Sequence, residues 1–168
     1  MHPDWTPIEN IFRSFPAYNC FVCSPAHAFG FHLEFFADPA RDAVVAPLSP
    51  REDMAGYPGI LHGGFQAMLL DEVSCWAALH QAGRIVFTAS LEVRFARPMP
   101  TGAPALACAR ITKAGSRLCK AEAWIEAGQG EPVRLAEAAG SFYVPTPAEF
   151  AVITGADPVP ERYLAYLR

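Results

Sequence analysis

The chain has 168 residues, enough for one domain with a full core and too few for two comfortable ones. Its hydrophobic share is 52% against 18% charged, so a packed globule is expected and disorder is excluded; so few charges also hint at a buried subunit interface. A net charge of −4 with only 13 Lys and Arg leaves no basic footprint, and nucleic acid is not an expected partner.

The start, "MHPDWTPIEN", has neither the basic nor the apolar region of a signal peptide, and five cysteines, an odd count, point to free thiols in a reducing cytoplasm. Thr6-Pro7-Ile8-Glu9 has the form of a capping box with proline at the first helical position, which predicts a short helix to about Phe15. Residues 16–30, with two prolines and little periodicity, read as an ordered loop. "FHLEFFAD" (31–38) and "AVVAPLSP" (43–50) suggest two strands joined by a turn, and "REDMAGYPGI" reads as a breaker-rich connection.

A long helix is expected from about Gly63 to Gln81, ending at Gly83. It is apolar on nearly every side and should be enclosed, yet it carries Asp71 and Glu72 in its middle. That interruption keeps any apolar run short of the roughly 18 residues a membrane span needs. In "VFTASLEVRF" strict alternation would place Phe87, Ala89, Leu91, Val93 and Phe95 on one face and Thr88, Ser90, Glu92 and Arg94 on the other. Three more strands follow at about 105–113, 117–127 and 133–144, joined through "KAGSR" and "AGQGEP". Alanines at 105, 107, 109, 121 and 123 would let a curved sheet approach a helix closely. The last 23 residues read as a short helix at most and a tail. The order is β-β-α-β-β-β-β, an α+β architecture with a mostly antiparallel sheet curled around one helix.

Carboxylates are expensive to bury unpaired, so the helix pair calls for a role. A helix opening at Gly63-Gly64 leaves its first N–H groups free and its dipole favours negative charge there, while glycine permits close approach of a ligand. Such a start can hold an oxyanion of the kind formed when a thioester carbonyl is attacked. Asp71 lies eight residues beyond Gly63, about 12 Å along the axis, too far to serve the same oxygen within one chain. Two antiparallel helices across a two-fold could bring one chain's Asp71 to the other's Gly63.

"GILHGGFQAMLLDE" resembles the signature of hotdog-fold acyl-CoA thioesterases, the branch that includes the phenylacetate-pathway enzymes: H-G-G followed by an acid nine positions after the histidine. "TASLEVRFARPMPTG" is similar to the family's strand after the helix, and "NCFVCSPAHAFGFHLEF" to an upstream "CFxCG…GL" element of one subgroup; the likeness spans roughly residues 19–144. The resemblance implies a single hotdog domain over 1–168, core about 19–145, acting as a homodimer or homotetramer with sites at the subunit interface. It implies that Gly63 supplies an oxyanion-hole N–H, that Asp71 is nucleophile or general base, and that His62 positions the helix start or bonds the thioester carbonyl. Acyl-CoA is the implied substrate, with coenzyme A entering as part of it and no other cofactor. Some members carry a hydroxyl residue four after the acid, where Cys75 stands here with Ser74 beside it; a polar residue upstream of H-G-G is replaced by "AGYPG".

Glu72 lies about 100° round the helix from Asp71 and reads as an interface or salt-bridge residue, and as the second candidate base. Gly64, Glu72, Cys75, Phe65 and Arg94 are the candidate substrate-binding positions. Phe65 is at once a core candidate and a tunnel candidate, and Arg94, with Arg97, Lys113 and Arg117, a surface charge available to coenzyme A phosphates. Cys20-x2-Cys23 with His27 and His32 meets a zinc ligand count, but the spacing is too compact for a familiar finger and no second cluster follows, so no metal is expected. That loop, with Phe21, Phe29 and Phe31, reads instead as a wall of an acyl pocket. A non-catalytic acyl-CoA sensor and a hydratase of the same fold are the alternatives. No serine-hydrolase elbow, dinucleotide loop or Walker sequence is present.

Overall fold

The expected central helix forms as α1, Gly63–Ala82. His62 sets its start, with an extended backbone and a side chain that accepts from the Gly64 N–H; Gly83 sets its end in a left-handed conformation (φ 61°) that returns its N–H to the Ala78 carbonyl. The computed structural model describes residues 4–128 and 131–168, so part of the expected "AGQGEP" turn, Gln129 and Gly130, lies outside the described residues.

Among the described residues nine strands accompany the helix: β1 (Thr6–Pro7), β2 (Phe36–Asp38), β3 (Ala43–Leu48), β4 (Ala55–Tyr57), β5 (Ile60–Leu61), β6 (Phe87–Phe95), β7 (Ala105–Ala114), β8 (Leu118–Ala127) and β9 (Val133–Tyr143). Seven form one sheet in the order β1-β2-β3-β7-β8-β9-β6, with every neighbouring pair antiparallel. β4 and β5 make a separate small hairpin just before α1. The helix lies against β7 and β8 at the middle of the large sheet. There the register aligns Val44, Ala109, Ala123, Ala138 and Val93 in one row across five strands. Ala107, Ala109, Ala121 and Ala123 are buried under α1, as the alanine pattern predicts.

Four local expectations are corrected. The helix from Thr6 does not form: Thr6 and Pro7 pair with Ala37 and Phe36, and the first turn is a 3-10 turn, Ile11–Ser14, capped by Asn10 through the Phe12 N–H. Sheet pairing of the Thr6 backbone takes precedence over its capping potential. The strand expected from residue 31 begins only at Phe36, because Phe31 and Leu33 donate their N–H groups to Phe21 and Val22 in the cysteine loop, and His32 adopts φ 54°. The connection over 51–60 holds a 3-10 turn and the β4–β5 hairpin.

The fourth correction concerns β6. A bulge between Thr88 and Ser90 shifts its register, so Thr88 opposes Phe142 and Leu91 opposes Gly140. Phe142 is buried among the groups beneath α1, which puts Thr88 on the helix face while Ser90, Glu92 and Arg94 stay on the outer one. Simple alternation had Thr88 facing outward.

The C-terminal segment is part of the core rather than a tail. Thr146 and Glu149 form a reciprocal capping box on α2 (Pro147–Thr154), and α3 (Glu161–Leu164) carries Tyr163 inward. Tyr163 is fully buried, stacks on Phe12 at 5.9 Å and donates its hydroxyl to the Ile11 carbonyl. The core therefore reaches beyond 19–145 at both ends.

Replacing Tyr163 by alanine removes a large buried ring that joins both termini. Tyr163→Ala is expected to lower stability by about 3–5 kcal/mol in urea unfolding, the cost typical of a buried aromatic truncated to alanine; a loss below about 1 kcal/mol would mean that the C-terminal helices do not pack on the core in solution.

Candidate active site

The approach to α1 is built around one imidazole. His62 Nδ1 accepts from the Gly64 N–H at 2.9 Å. A Cβ on Gly64 would stand 3.0 Å from that nitrogen, and one on Gly56 in β4 would stand 2.9 Å from His62 Cδ2. The glycines of "AGYPG" and H-G-G thus make room for the ring, and the ring takes up one of the helix's free N–H groups. The Phe65 and Gln66 N–H groups turn back to the His62 carbonyl. Gly63 is left with an N–H that meets no acceptor among the described residues. Phe95, from the end of β6, lies 3.4 Å from where a Gly63 Cβ would be.

Two turns along, Asp71 is half-buried and accepts a 2.6 Å hydrogen bond from Thr88 Oγ1. It makes no ion pair among the described residues. Burial pushes its carboxyl above the ordinary range, and the Thr88 hydroxyl works against that rise. Cys75 sits one turn further, near both groups; burial, reinforced by the charge of Asp71, pushes its thiol well up. Gly64, Asp71 and Cys75 fall on one stripe of the helix, beside β6. Thr88 is the site residue that the sequence reading misses, since only the bulge turns it inward.

The other candidates separate. Glu72 faces away from Asp71: it accepts from Trp76 Nε1 at 2.9 Å and lies 3.6–3.7 Å from the Cys20 sulfur. Its expected salt bridge is not formed among the described residues. Ser74 is buried and donates to the Leu70 carbonyl. Phe65 packs against Phe21 and Phe31 at 5.9 and 5.8 Å, whereas Phe29 is exposed. Arg94 is not brought to this stripe; it sits on the outer sheet face, paired with Glu137. A cavity of about 590 Å³ lies between the N-terminal segment and Trp76, and neither Gly63 nor Asp71 lines it.

Residues 58–134 match the thioesterase superfamily, a stretch that holds His62, Gly63, Asp71 and Thr88. The chain is similar to acyl-coenzyme A thioesterase THEM5 of Mus musculus (32% identity over 84 residues, 50% of this chain and 34% of the relative) and of Homo sapiens (33% over 78 residues, 46% and 31%). The match thus spans about a third of the length of these curated relatives. Among solved structures, a thioesterase superfamily protein superposes with TM-score 0.65 at 24% identity, covering 74% of this chain and 62% of that one. Zebra fish thioesterase superfamily member 2 gives 0.60 at 22%, over 71% and 87%. The Staphylococcus aureus acyl-CoA hydrolase, solved with butyryl coenzyme A and coenzyme A, gives 0.60 at 20%, over 64% and 68%. At these identities the structures establish the fold alone, and the chain has the hotdog architecture. Among the described residues no helix is long and apolar enough to cross a membrane.

A raised carboxyl has a stability consequence whose sign is fixed. The folded chain keeps the Asp71 proton over a pH window, from the ordinary carboxylate range up to the raised value, in which the unfolded chain has lost it. Stability attributable to this group therefore falls as pH rises through that window, and its cost is full above it. Asp71→Asn removes the charge and keeps an acceptor for Thr88. This variant is expected to melt above wild type at pH 7, with the gap closing on acidification; a lower melting temperature at neutral pH would contradict the desolvation argument.

Proposed function

We propose that the chain hydrolyses an acyl-CoA thioester to a free acid and coenzyme A, with Asp71 of one copy and Gly63 of another forming each site. The observation that carries this reading is the half-buried Asp71 carboxylate, held by Thr88 and, among the described residues, matched with no cation, on a helix whose Gly63 N–H meets no acceptor among them. The naming of the curated relatives as acyl-coenzyme A thioesterases supports it, as does the S. aureus relative's complex with butyryl coenzyme A.

The two groups stand about 12 Å apart along one helix, so a single chain cannot apply both to one thioester. β6 ends the large sheet, and its outer edge has no partner strand among the described residues. Such an edge is a natural place for a second copy to add. A two-fold there would run the partner's α1 antiparallel and exchange Asp71 with Gly63. Dimers and tetramers built on this contact are both compatible with the site.

In the proposed reaction Asp71 takes a proton from water as the water oxygen bonds to the thioester carbonyl carbon. The Gly63 N–H donates to the oxygen that becomes negative, aided by the helix dipole. When the carbonyl re-forms, the carbon–sulfur bond breaks, its electron pair leaves with the coenzyme A sulfur, and the proton held by Asp71 neutralises that thiolate. Thr88 orients the carboxylate, filling from a strand the hydroxyl position that Cys75 leaves unfilled on the helix. His62 holds the helix start open by capping Gly64 instead of Gly63. Coenzyme A enters with the substrate, and the steps as written use no further cofactor. The free thiols suit the reducing cytoplasm.

The test is thiol release from a panel of aryl and fatty acyl-CoAs. Asp71→Asn is expected to cut kcat by about 10²–10⁴ with ligand binding retained. Gly63→Pro should also lose turnover with the helix intact, because proline suits the first helical position while lacking the N–H. Mixing the two inactive variants under conditions that exchange subunits should restore about a quarter of wild-type activity, since half the dimers are mixed and each has one intact site. No recovery from mixed dimers would remove the shared site; binding without turnover on any acyl-CoA would make the protein a sensor.

Thr88→Val tests the carboxylate's partner. Asp71 acts only when ionised, and the lost hydrogen bond disfavours that form, so the acid limb of kcat/KM should move to higher pH. An unmoved limb would assign the limb to another group.

A further inference from the structure

Glu72 opens on a second group of side chains that the hydrolytic reading does not use. The sulfurs of Cys20 and Cys23 and a carboxylate oxygen of Glu72 all lie within 4.8 Å of one another, although Glu72 is 52 residues from Cys20 in sequence. Cys20 Sγ stands 3.6 and 3.7 Å from the two Glu72 oxygens. The Val22 and Cys23 N–H groups both donate to Cys20 Sγ at 3.3 Å. Cys23 is buried, and its sulfur lies 2.8 Å from the Tyr18 hydroxyl, which in turn accepts from Asn10 Nδ2 at 2.9 Å. No Lys or Arg pairs with Glu72 among the described residues.

We propose that Cys20, Cys23 and Glu72 form a structural Zn²⁺ site, with water in the fourth position. In a tetrahedral site with Zn–S near 2.3 Å and Zn–O near 2.0–2.2 Å, sulfur and oxygen ligands stand roughly 3.5 Å apart. The Cys20–Glu72 spacing is already close to that value. Two soft sulfurs with one carboxylate favour zinc over magnesium or calcium, which take oxygen ligands. The two backbone N–H groups on Cys20 and the Asn10–Tyr18 pair behind Cys23 supply the outer hydrogen bonds that orient metal ligands and steady a thiolate. Binding releases the two thiol protons. The dication then offsets two thiolates and one carboxylate, leaving a single net negative charge where the metal-free group has a half-buried carboxylate with no cation paired to it among the described residues.

His27 and His32, the other half of the compact Cys/His pattern, are turned to different work. His27 Nδ1 accepts from the Phe29 N–H, and His32 Nε2 meets the His27 carbonyl. The third ligand comes from α1 instead. An ion there ties the cysteine turn to the helix, and Phe21 of that turn stacks on Phe65 in the helix's first turn. The metal would therefore fix the aromatic wall beside the helix start without touching the reacting atoms. This inference stands apart from the hydrolase reading and can fail or hold without it.

The experiment is a Co²⁺ titration of the full chain, reduced and stripped with chelator. Wild type is expected to develop a sulfur-to-cobalt charge-transfer band and strong visible bands of a tetrahedral site, saturating at one equivalent and abolished by Zn²⁺. Zn²⁺ should raise the melting temperature of wild type. Cys20→Ser, Cys23→Ser and Glu72→Gln should each lose the Zn²⁺-dependent rise, and the two serine variants should lose the tetrahedral-thiolate spectrum. Cys108→Ser, whose thiol lies in a separate cluster on the outer sheet face, should behave as wild type and controls for thiol loss in general. The wild-type spectrum needs no variant to fold, so misfolded variants would leave the test intact. Absence of the charge-transfer band in reduced wild type, or its survival when both Cys20 and Cys23 are replaced, would overturn the proposal. A Zn²⁺-dependent rise unchanged in Glu72→Gln would overturn the three-residue ligand set.

Discussion

Nearly everything in this fold follows from enclosing α1. A helix apolar on all sides cannot lie on a surface, so the sheet must approach it closely and the chain ends must close over what the sheet leaves uncovered. The alanine row through Ala109, Ala123 and Ala138 permits the approach. Phe12, Phe150 and Tyr163 complete the cover, one from the N-terminal turn and two from the C-terminal helices. Enclosure also presses the polar side chains of α1 to find partners, and among the described residues the buried Gln66 Oε1 is one that meets none. Ser74 bonds the Leu70 carbonyl, the Gln66 amide the Leu61 carbonyl, Glu72 the Trp76 indole and Asp71 the Thr88 hydroxyl.

Asp71 is the costly member of that set. A single hydroxyl is a weak counterpart for a carboxylate removed from water, which is why its carboxyl is raised instead of lowered. A salt bridge in the same place would stabilise the fold better and quench the group as a base. The bulge in β6 supplies the compromise: it brings in a neutral donor that orients the carboxylate without holding it ionised as strongly as a cation would. The same bulge lies in the strand that ends the sheet, so this adjustment is confined to one edge.

What the sequence discloses divides along physical lines. The bounds of α1 and of β7, β8 and β9 are legible because each rests on local signals, a terminal glycine or a flanking turn sequence, that agree with the tertiary demand. The Thr6 helix fails where a local signal competes with a long-range one: its capping box is sound by itself, but Thr6 pairs with a strand 31 residues away, and the same motif at Thr146, free of such competition, does form. Thr88 is hidden for a different reason. Period-two reasoning assigns faces by counting, and a bulge adds one to the count without leaving a glycine or proline to mark it. The meeting of Glu72 with Cys20 could not be read either, since it depends on how a loop of irregular backbone folds back on a helix.

Adjacent carboxylates on a helix cannot share a task, and this chain shows what that geometry permits. A rotation of about 100° between Asp71 and Glu72 sends one toward the β6 edge and the other toward the cysteine turn. Because both ride on one rigid turn of α1, a displacement that alters one environment is transmitted to the other by the helix itself. Phe65 extends the connection, since it belongs to the turn that presents the Gly63 N–H and also packs against Phe21 of the cysteine loop. Anything that stiffens that loop therefore bears on the position of the helix start, while the His62 cap and the Thr88 hydrogen bond constrain the same helix from the opposite side. The carboxylate that opens onto the sheet edge and the one that faces the thiols are thus two ends of a single mechanical unit, and the apolar enclosure around them is what keeps that unit stiff.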